Sequence, residues 1–439
     1  MFFLYSLIYT LAFVLLSPRF LFDVIVGGKY AAGLGQRLGF LPKFTSNKNP
    51  VIWLHCVSVG EANAARPLVE GIKKSFPNHR LIVSTTTKTG QKLAKQIFSG
   101  SAETIFYFPF DWCFSVRRAL RRFNPALILL METEIWPNFI REANHAKARI
   151  CIVNGRLSEK SYTRYARFKH SMRRILGYLD LALMQSNADA TRLMSLGIRA
   201  SKVRVSGNLK FDHHVEVSEI DLTNDFRTRF GISNEEPLIL AASTHSPEEK
   251  WVLESFKEIW KSGGERLPRL MIAPRHPERF SEVTELLKNT GFTWVRRTES
   301  ASSRDKTAEV ILLDSIGELR AAYPLAEIVF VGGSLIPHGG QSIFEPGAAG
   351  KAIITGPNTA NFDEAVKEFL TKEALIQLKQ TDETKVVETL TAAFRDLLKN
   401  DENRKTLGAN ALAVMNNNRG AAARMIEYLS RFLVLREHK

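Results

Sequence analysis

The chain has 439 residues, enough for two domains that each bury a core, and its apolar content of 45% is ordinary for a globular protein. Its three cysteines, Cys56, Cys113 and Cys151, have no paired spacing. A sparse, odd number of cysteines argues against a disulfide framework or a structural zinc site and favours reduced thiols in a cytosolic body.

The net charge of +15 is unevenly distributed along the chain. Residues 1–215 contain 31 basic and 12 acidic residues, a balance of +19, whereas residues 216–439 contain 29 basic and 33 acidic residues, a balance of −4. This asymmetry predicts an anionic partner for the N-terminal half: a phosphorylated substrate, an anionic lipid surface or a nucleic acid. A basic surface without a partner is the alternative.

Residues 2–16 form an uncharged apolar run that is closed by Pro18 and Arg19. As a helix it would be about 22 Å long, shorter than the ~30 Å hydrocarbon core of a bilayer, although residues 20–26 would extend it. No basic residue precedes the run and no cleavage site follows it, unlike a secretory signal. The basic residues after it indicate a cytoplasmic body. We predict an uncleaved membrane anchor or interfacial helix over residues 1–26, with a buried helix as the alternative.

Strand and helix patterns alternate from residue 51 onward, which predicts a parallel sheet with helices on both faces in residues 27–215. The predicted strands cover residues 51–55, 80–85, 126–131, 149–153, 181–185 and 202–205. The predicted helices cover residues 62–76, 89–98, 113–123, 139–145, 161–176 and 188–196.

A polar, weakly periodic segment at residues 211–234 marks the predicted domain boundary, and alternation restarts after it in residues 216–439. The predicted strands are 238–242, 269–273, 310–313, 328–331 and 352–355, the helices are 248–261, 281–289, 317–323 and 365–369, and residues 383–432 are all helical. The fold class is therefore α/β, with two doubly wound, Rossmann-like domains. Ligands of such sheets bind at the carboxyl ends of the strands, which we expect to face one cleft.

The segment 329–346 predicts a nucleotide-sugar site. A β-type run ends in Gly332 and Gly333, whose amides could approach a phosphate closely. Ser342 is a candidate helix N-cap, and Glu345 could accept hydrogen bonds from ribose hydroxyls. An ordinary strand–turn–helix corner is the alternative.

Three carboxylates follow predicted strands of the first domain. Glu61 lies at a strand-to-helix turn, where it could act as a general base on a hydroxyl; a charge favoured by the helix dipole is the alternative. Glu132 and Glu134 could bind an acceptor or support Glu61, or simply belong to a hydrogen-bonded turn. No His or Asp residue clusters with them, so we predict no metal.

Cationic and hydroxyl residues follow strands of both domains. Arg275, held between two prolines, suits a phosphate or carboxylate, whereas His276 either joins it or braces the loop. Lys210 could bind a sugar-acid carboxylate or lie solvated at the surface. Ser243 and Thr244 follow the first strand of the second domain and complete the candidate substrate contacts.

Several of these segments together resemble one family. They are Ser-Val-Gly-Glu at 58–61, Met-Glu-Thr-Glu-Ile-Trp-Pro-Asn at 131–138, Gly-Asn-Leu-Lys-Phe-Asp at 207–212, Ser-Thr-His at 243–245, Pro-Arg-His-Pro-Glu-Arg-Phe at 274–280, Gly-Glu-Leu at 317–319 and Val-Gly-Gly-Ser-Leu at 331–335. In this order they resemble the 3-deoxy-D-manno-octulosonic acid (Kdo) transferases, and the match extends from the N-terminal run to at least Phe362.

The resemblance implies a GT-B fold, CMP-Kdo as the donor and a phosphorylated lipid A precursor at the bacterial inner membrane as the acceptor, with the body on the cytoplasmic face. It makes Glu61 the proton acceptor and implies no cofactor. The implied CMP-binding segments are Pro274-Arg275, Ile316-Gly317-Glu318 and Ser342-Ile343-Phe344-Glu345.

The sequence departs from the family pattern in two places: Ser-Ile-Phe-Glu replaces Asn-Pro-Leu-Glu at 342–345, and Ala62 replaces a bulkier residue. The Ser342 contact and the acceptor side near Ala62 are therefore less firmly implied. A sugar-nucleotide epimerase or another GT-B enzyme is the alternative function. A nucleic-acid-binding protein would explain the charge, but the interleaving of aromatic and basic residues that it requires is absent.

Overall fold

The computed structural model describes residues 1–26, 32–45, 48–212, 217–233, 236–263 and 267–434. Two compact units form: the first comprises Met1–Asp212 with Arg419–Lys439, and the second comprises His213–Asn418. The predicted domain boundaries at residue 27 and at residues 215–216 lie outside the described residues.

The first unit has, within its described residues, a parallel sheet of seven strands in the order β3-β2-β1-β4-β5-β6-β7. The strands are β1 Val51–Cys56, β2 Arg80–Thr85, β3 Thr104–Tyr107, β4 Pro125–Met131, β5 Arg149–Gly155, β6 Leu181–Met184 and β7 Val203–Val205. Its helices are α1 Phe2–Val26, α2 Leu34–Arg37, α3 Val59–Ala64, α4 Arg66–Ser75, α5 Lys88–Phe98, α6 Cys113–Phe123, α7 Pro137–His145, α8 Glu159–Ala166, α9 Lys169–Leu176, α10 Asn187–Ser195 and, from the chain's end, α19 Ala421–Val434.

The described part of the second unit repeats this architecture with a parallel sheet in the order β10-β11-β9-β8-β12-β13-β14. Its strands are β8 Leu238–Thr244, β9 Arg269–Pro274, β10 Trp294–Arg296, β11 Val310–Leu312, β12 Ile328–Val331, β13 Ala352–Thr355 and β14 Ile376–Gln377. Its helices are α11 Val217–Phe230, α12 Glu248–Lys261, α13 Phe280–Lys288, α14 Leu319–Ala322, α15 Phe344–Ala348, α16 Asp363–Thr371, α17 Glu383–Lys399 and α18 Asp401–Asn418.

Each sheet is buried on both faces, as parallel sheets require. In β1, Trp53 packs into a cluster of aromatic rings with Phe106 and Phe139, whereas its neighbours Ile52 and Leu54 enter a second cluster on the opposite face. Helices therefore cover both faces of the sheet, and the loops after the strands gather polar side chains at its carboxyl edge.

Several elements differ from the sequence-based prediction. The short strands β3, β10 and β14 were not expected, because two to four residues leave almost no periodic signal. The predicted helix at 62–76 is two helices, and the one at 161–176 is interrupted near Phe168. The segment taken as a polar boundary contains α11, whose Phe226 and Phe230 are fully buried.

Helix α19 packs on the first unit, although the sequence assigned residues 216–439 to the second domain. Its apolar face, with Ala421, Met425 and Leu429, is buried in the same cluster as Leu68 of α4. The carboxylate of Asp212, at the end of the first unit, accepts the N–H groups of residues 420–422 at 2.5 to 3.2 Å. A buried cap and an apolar face thus hold α19 on the first unit.

Helix α1 lies against the first unit by one face only. Phe2 is buried, Ser6 accepts a hydrogen bond from Asn138, and Thr10 accepts one from Trp112. The opposite face exposes apolar side chains: Phe3, Leu4, Leu7, Ile8, Leu11, Val14, Leu15 and Leu16. The alternative of a fully buried helix is therefore wrong. No helix among the described residues has both the length and the apolar character needed to cross a bilayer.

Replacing Asp212 with Ala should destabilise the first unit by about 2–4 kcal/mol, because three N–H groups at a helix start lose their acceptor. Urea unfolding monitored by circular dichroism measures this loss. The matched control is Glu427→Ala in the same helix, which removes only an exposed ion pair with Arg431 and should cost less than about 1 kcal/mol. Equal losses in both variants would contradict the capping role.

Candidate active site

Glu61 lies in the first turn of α3, directly after β1, and is only 7% exposed. The hydroxyl of Ser58 accepts the N–H of Glu61 at 3.3 Å and donates to its Oε1 at 3.1 Å. The N–H of Val57 donates to Oε2 at 2.8 Å. This reciprocal capping arrangement fixes the carboxyl group of Glu61 at the carboxyl edge of the first sheet.

Burial, followed by the negative charge of Glu132, raises the pKa of Glu61 to about 8. The hydrogen bond from Val57 opposes this shift but does not cancel it. A carboxylate with a pKa near ambient pH is a much stronger base than an ordinary one, so Glu61 has the protonation behaviour of a general base.

Glu132 and Glu134 follow β4 at the same edge of the sheet. Glu132 adopts a left-handed backbone conformation with φ 55°, and its N–H donates to the carbonyl of Val153 at 3.0 Å. Lys210 places its Nζ 3.7 Å from Oε1 of Glu132. Burial, followed by the charge of Glu132, raises the pKa of Glu134. The structure thus brings three predicted carboxylates and Lys210 together.

No group of three or more His, Cys, Asp or Glu side chains in the described parts of the chain is arranged to hold a metal ion. Metal-independent chemistry remains a prediction.

In the second unit, Arg275 follows β9 and its N–H donates to the carbonyl of Thr244 at 3.0 Å. Its guanidinium is exposed. Burial raises the pKa of Tyr323; the charge of Glu345 contributes to this rise, and that of Arg275 opposes it. Arg275 and Glu345 therefore both lie close enough to the buried Tyr323 side chain to affect its pKa. Two of the predicted CMP-binding segments thus lie near each other.

The segment 342–345 differs in detail from its prediction. Helix α15 begins at Phe344 with Ile343 at the N-cap position, but the hydroxyl of Ser342 accepts the N–H of Phe344 at 3.4 Å. The same hydroxyl donates to Oε2 of Glu345, which orients this carboxylate.

The third predicted segment, Ile316 to Glu318, follows β11. Glu318 pairs with Arg297 at 3.0 Å and accepts a hydrogen bond from Ser315, so its carboxylate is held in place. Gly317 has φ 90°, a conformation that favours glycine, and Ile316 is 79% exposed. This loop presents backbone and an apolar side chain rather than a free charge.

The glycine amides after β12 do not have the role that the sequence predicted. The buried carboxylate of Glu248 accepts the N–H groups of Gly333, Ser334 and Leu335 at 2.7 to 3.0 Å. The N–H of Gly332 donates to a strand carbonyl, and a Cβ there would lie 2.6 Å from Cα of Thr244. A protein carboxylate and close backbone packing thus occupy the positions that we assigned to a phosphate, so the Gly332 and Gly333 assignment was wrong.

Three histidines form a cluster beside Arg275 that the sequence did not identify. The ring of His245 lies 5.3 Å from that of His276 and 4.2 Å from that of His338. Burial and these two neighbours lower the pKa of His245 to about 4. Within the described residues, His245 Nε2 and Thr244 Oγ1 are buried without a hydrogen-bond partner, so the cluster offers polar groups to a ligand.

Ser243 lies directly before this cluster in a left-handed conformation with φ 56°, and its carbonyl accepts a hydrogen bond from His245 Nδ1 at 3.2 Å in one tautomer. The sequence signal for the cluster was the Ser-Thr-His run after a strand. The contribution of Glu248 and His338 had no local signal, because their partners lie far away in the chain.

Two doubly wound units, each with a seven-stranded parallel sheet, define a protein of the GT-B fold. UDP-GlcNAc 2-epimerase from Neisseria meningitidis shares this fold, with a TM-score of 0.58 and 14% identity over 87% of this chain and 100% of that one. A glycosyltransferase from Rickettsia africae gives a TM-score of 0.57 and 13% identity over 88% and 98%.

Sequence similarity identifies the family. The 3-deoxy-D-manno-octulosonic acid transferase of Haemophilus influenzae is 33% identical over 92% of each chain, and that of Chlamydia trachomatis serovar A is 28% identical over 92% of this chain and 90% of the relative. Residues 32–213 match the family described as 3-Deoxy-D-manno-octulosonic-acid transferase (kdotransferase). The chain belongs to the Kdo transferase family, a group of glycosyltransferases of lipopolysaccharide biosynthesis.

The pH dependence of Kdo transfer should reveal the effect of the Glu132 charge on the pKa of Glu61. A base must be deprotonated, so kcat/KM should rise with pH through a midpoint near 8. Glu132→Gln removes the neighbouring negative charge, which lowers the pKa of Glu61 and should move this limb to lower pH. The control, Glu70→Gln, removes an exposed carboxylate of α4 and should leave the midpoint unchanged. If kcat/KM of Glu132→Gln rose at the same pH as that of wild type, the proposed electrostatic coupling between Glu132 and Glu61 would be contradicted.

Proposed function

We propose that this enzyme transfers Kdo from CMP-Kdo to a phosphorylated lipid A precursor with inversion at the anomeric carbon and without a metal ion. The first unit binds the acceptor and the second unit binds the donor. In the transfer step, the acceptor oxygen forms a bond to the anomeric carbon, the bond from that carbon to the phosphate oxygen breaks, and CMP leaves.

The observation that carries this proposal is the buried carboxyl group of Glu61. Hydrogen bonds from Ser58 and Val57 hold it, and its pKa of about 8 lets it accept the proton of the attacking hydroxyl. Lys210, close to Glu132, supplies positive charge near the carboxylates and suits a sugar acid or a phosphate of the acceptor.

The donor site is supported by the arrangement in the second unit. The exposed guanidinium of Arg275 suits the phosphate of CMP, whose negative charge increases as it leaves. Glu345, oriented by Ser342, suits the ribose hydroxyls. His245 and His276 place ring nitrogens beside Arg275 and suit the carboxylate of the Kdo residue or the phosphate.

We further propose that the enzyme works at the cytoplasmic face of the bacterial inner membrane. The exposed apolar face of α1 suits insertion into the interfacial layer of a bilayer, and the net charge of +19 in residues 1–215 favours an anionic surface. All three cysteines are free thiols, as expected in a reducing compartment.

Replacing Glu61 with Gln should reduce kcat for Kdo transfer by about 10²–10⁴-fold, because the attacking hydroxyl loses its base. Binding of CMP, measured by calorimetry, should stay within twofold of wild type. Arg275→Ala should instead weaken CMP binding by about tenfold or more. Lys288→Ala, which removes an exposed cation of α13, is the control for lost charge.

Two results would contradict this assignment: undiminished turnover in Glu61→Gln, or CMP binding lost equally in Glu61→Gln and Arg275→Ala. Product analysis with CMP-Kdo distinguishes a Kdo transferase from the alternative, a sugar-nucleotide epimerase. A transferase releases CMP and forms a glycosylated lipid when the acceptor is present, whereas an epimerase would alter the sugar nucleotide without any lipid.

The exposed face of α1 should drive membrane binding. Changing Leu7, Leu11 and Leu15 together to Gln should weaken binding to lipid vesicles by about 1.5 kcal/mol or more for each leucine that inserts fully. Vesicle sedimentation measures this. A control variant changes Val205, Leu370 and Leu412 to Gln; these residues are exposed elsewhere and should have little effect. Equal losses in both variants would argue against α1 as the membrane contact.

A further inference from the structure

A cavity of about 280 Å³ lies in the first unit and takes no part in the chemistry proposed above. Its lining consists of Arg173, Leu176, Gly177, Gly197, Arg199 and Lys202. The volume corresponds to roughly nine water molecules, which is enough for a phosphate ester and part of the group attached to it. Three of the six lining residues are cationic and none is acidic.

The charges of the cations that line this cavity are not balanced by carboxylates in the part of the chain that the structure describes. Within the described residues, no carboxylate forms an ion pair with Arg173, Arg199 or Lys202. Lys202 donates to the carbonyl groups of Gly177 and Leu179, which fixes its position, but three N–H donors leave it capacity for another acceptor. Like charges that converge without a counterion repel one another, so the cavity favours an anion.

The local backbone is shaped to bring these cations together. Gly197 has φ 111°, and a Cβ at this position would lie 2.7 Å from Cβ of Arg173. Only glycine therefore lets the turn after α10 pass this close to α9. The turn leads directly to Arg199, and the next residues lead to Lys202 before β7.

The cavity lies at the amino ends of β6 and β7, whereas Glu61 follows the carboxyl end of β1. The length of a strand separates these two edges of the sheet, about 13 Å for four residues. Three strand spacings between β1 and β6 add about 14 Å across the sheet. The cavity is therefore too remote to share the acceptor hydroxyl with Glu61, and we treat it as a separate site.

The start of α1 lies beside this cavity. Tyr178, next in the chain to Gly177, packs its ring 6.1 Å from that of Phe2. The guanidinium of Arg174 lies 5.8 Å from the same Phe2 ring. The exposed apolar face of α1 begins with Phe3 and Leu4, the two residues that follow the Phe2 ring in this contact.

We propose that this cavity binds the phosphate group of an anionic phospholipid while α1 lies in the interfacial layer of the bilayer. The proposal rests on the membrane contact proposed for α1 and extends it with a defined headgroup site. Arg173 and Arg199 supply guanidinium groups that can bind phosphate oxygens in pairs, and Lys202 adds a third donor. The site would hold the first unit in one orientation on the membrane.

Binding of the full-length protein to two kinds of vesicle tests this site. One kind contains phosphatidylcholine alone, and the other contains phosphatidylcholine with one-fifth phosphatidylglycerol. The variant Arg173→Gln/Arg199→Gln keeps Lys202 and its hydrogen bonds to the carbonyl groups of Gly177 and Leu179. We expect it to lose about tenfold in affinity for the anionic vesicles, but to match wild type on neutral vesicles and in Kdo transfer to a detergent-solubilised acceptor.

The matched control is Lys92→Gln/Lys95→Gln, which removes two exposed cations from α5 on the opposite face of the sheet. An equal loss in the control would overturn the proposal, because the attraction would then be diffuse. Binding of wild type to neutral vesicles without a gain from phosphatidylglycerol would overturn the headgroup site but leave the role of α1 intact. If millimolar inorganic phosphate raised the melting temperature of wild type but not of the double variant, and phosphatidylglycerol gave no gain in vesicle binding, the ligand would be a soluble phosphate and not a lipid.

Discussion

Buried carboxylates that accept backbone N–H groups hold the functional edge of each sheet together. Loops after parallel strands leave N–H groups without partners, and burial away from water makes each unpaired group costly. Glu248 satisfies three such groups after β12 and a fourth at His245, and Asp212 satisfies three at the start of α19. Apart from His245, the partners lie 85 or more residues away in the chain, and these bonds set the loop positions on which the candidate sites depend.

Glu61 is also a buried carboxylate that accepts a backbone N–H group, but fewer hydrogen-bond donors stabilise its negative charge. It accepts one backbone N–H and one hydroxyl, and a second carboxylate, Glu132, lies close enough to act on it. Fewer hydrogen-bond donors and the neighbouring negative charge make the Glu61 carboxylate less stable as an anion. It can therefore accept a proton at neutral pH.

The two units divide the charge in a way that agrees with their proposed roles. The first half of the chain carries the positive charge and the exposed apolar face of α1, the combination expected at an anionic membrane. The second half has a balance of −4, and its exposed Arg275 lies beside the cluster of three histidines. A diffuse basic surface suits a lipid surface, whereas a local cluster suits a small phosphorylated ligand.

Much of the candidate site could be predicted because its signals are local. Glu61, Glu132 and Arg275 each follow a strand whose apolar run is visible in the sequence, and parallel strands bring such positions to the carboxyl edge of their own sheet. The assignment of Gly333 failed because the acceptor of its N–H is Glu248, 85 residues earlier in the chain. His338 and Tyr323 were missed for the same reason. Short edge strands such as β14 were missed because two residues have no measurable period.

The sequence by itself determined the α/β class, the number of sheets, most central strands and the family, since these depend on periodicity and on contiguous motifs. Only the tertiary structure decided that α19 packs on the first unit and that α1 exposes an apolar face. It also decided that the carboxylate of Glu248 accepts the N–H of Gly333 after β12. Local composition limits which conformations a segment can adopt. Which partner satisfies a buried charge or N–H group depends on residues that folding brings together from distant positions, and no local pattern records that choice.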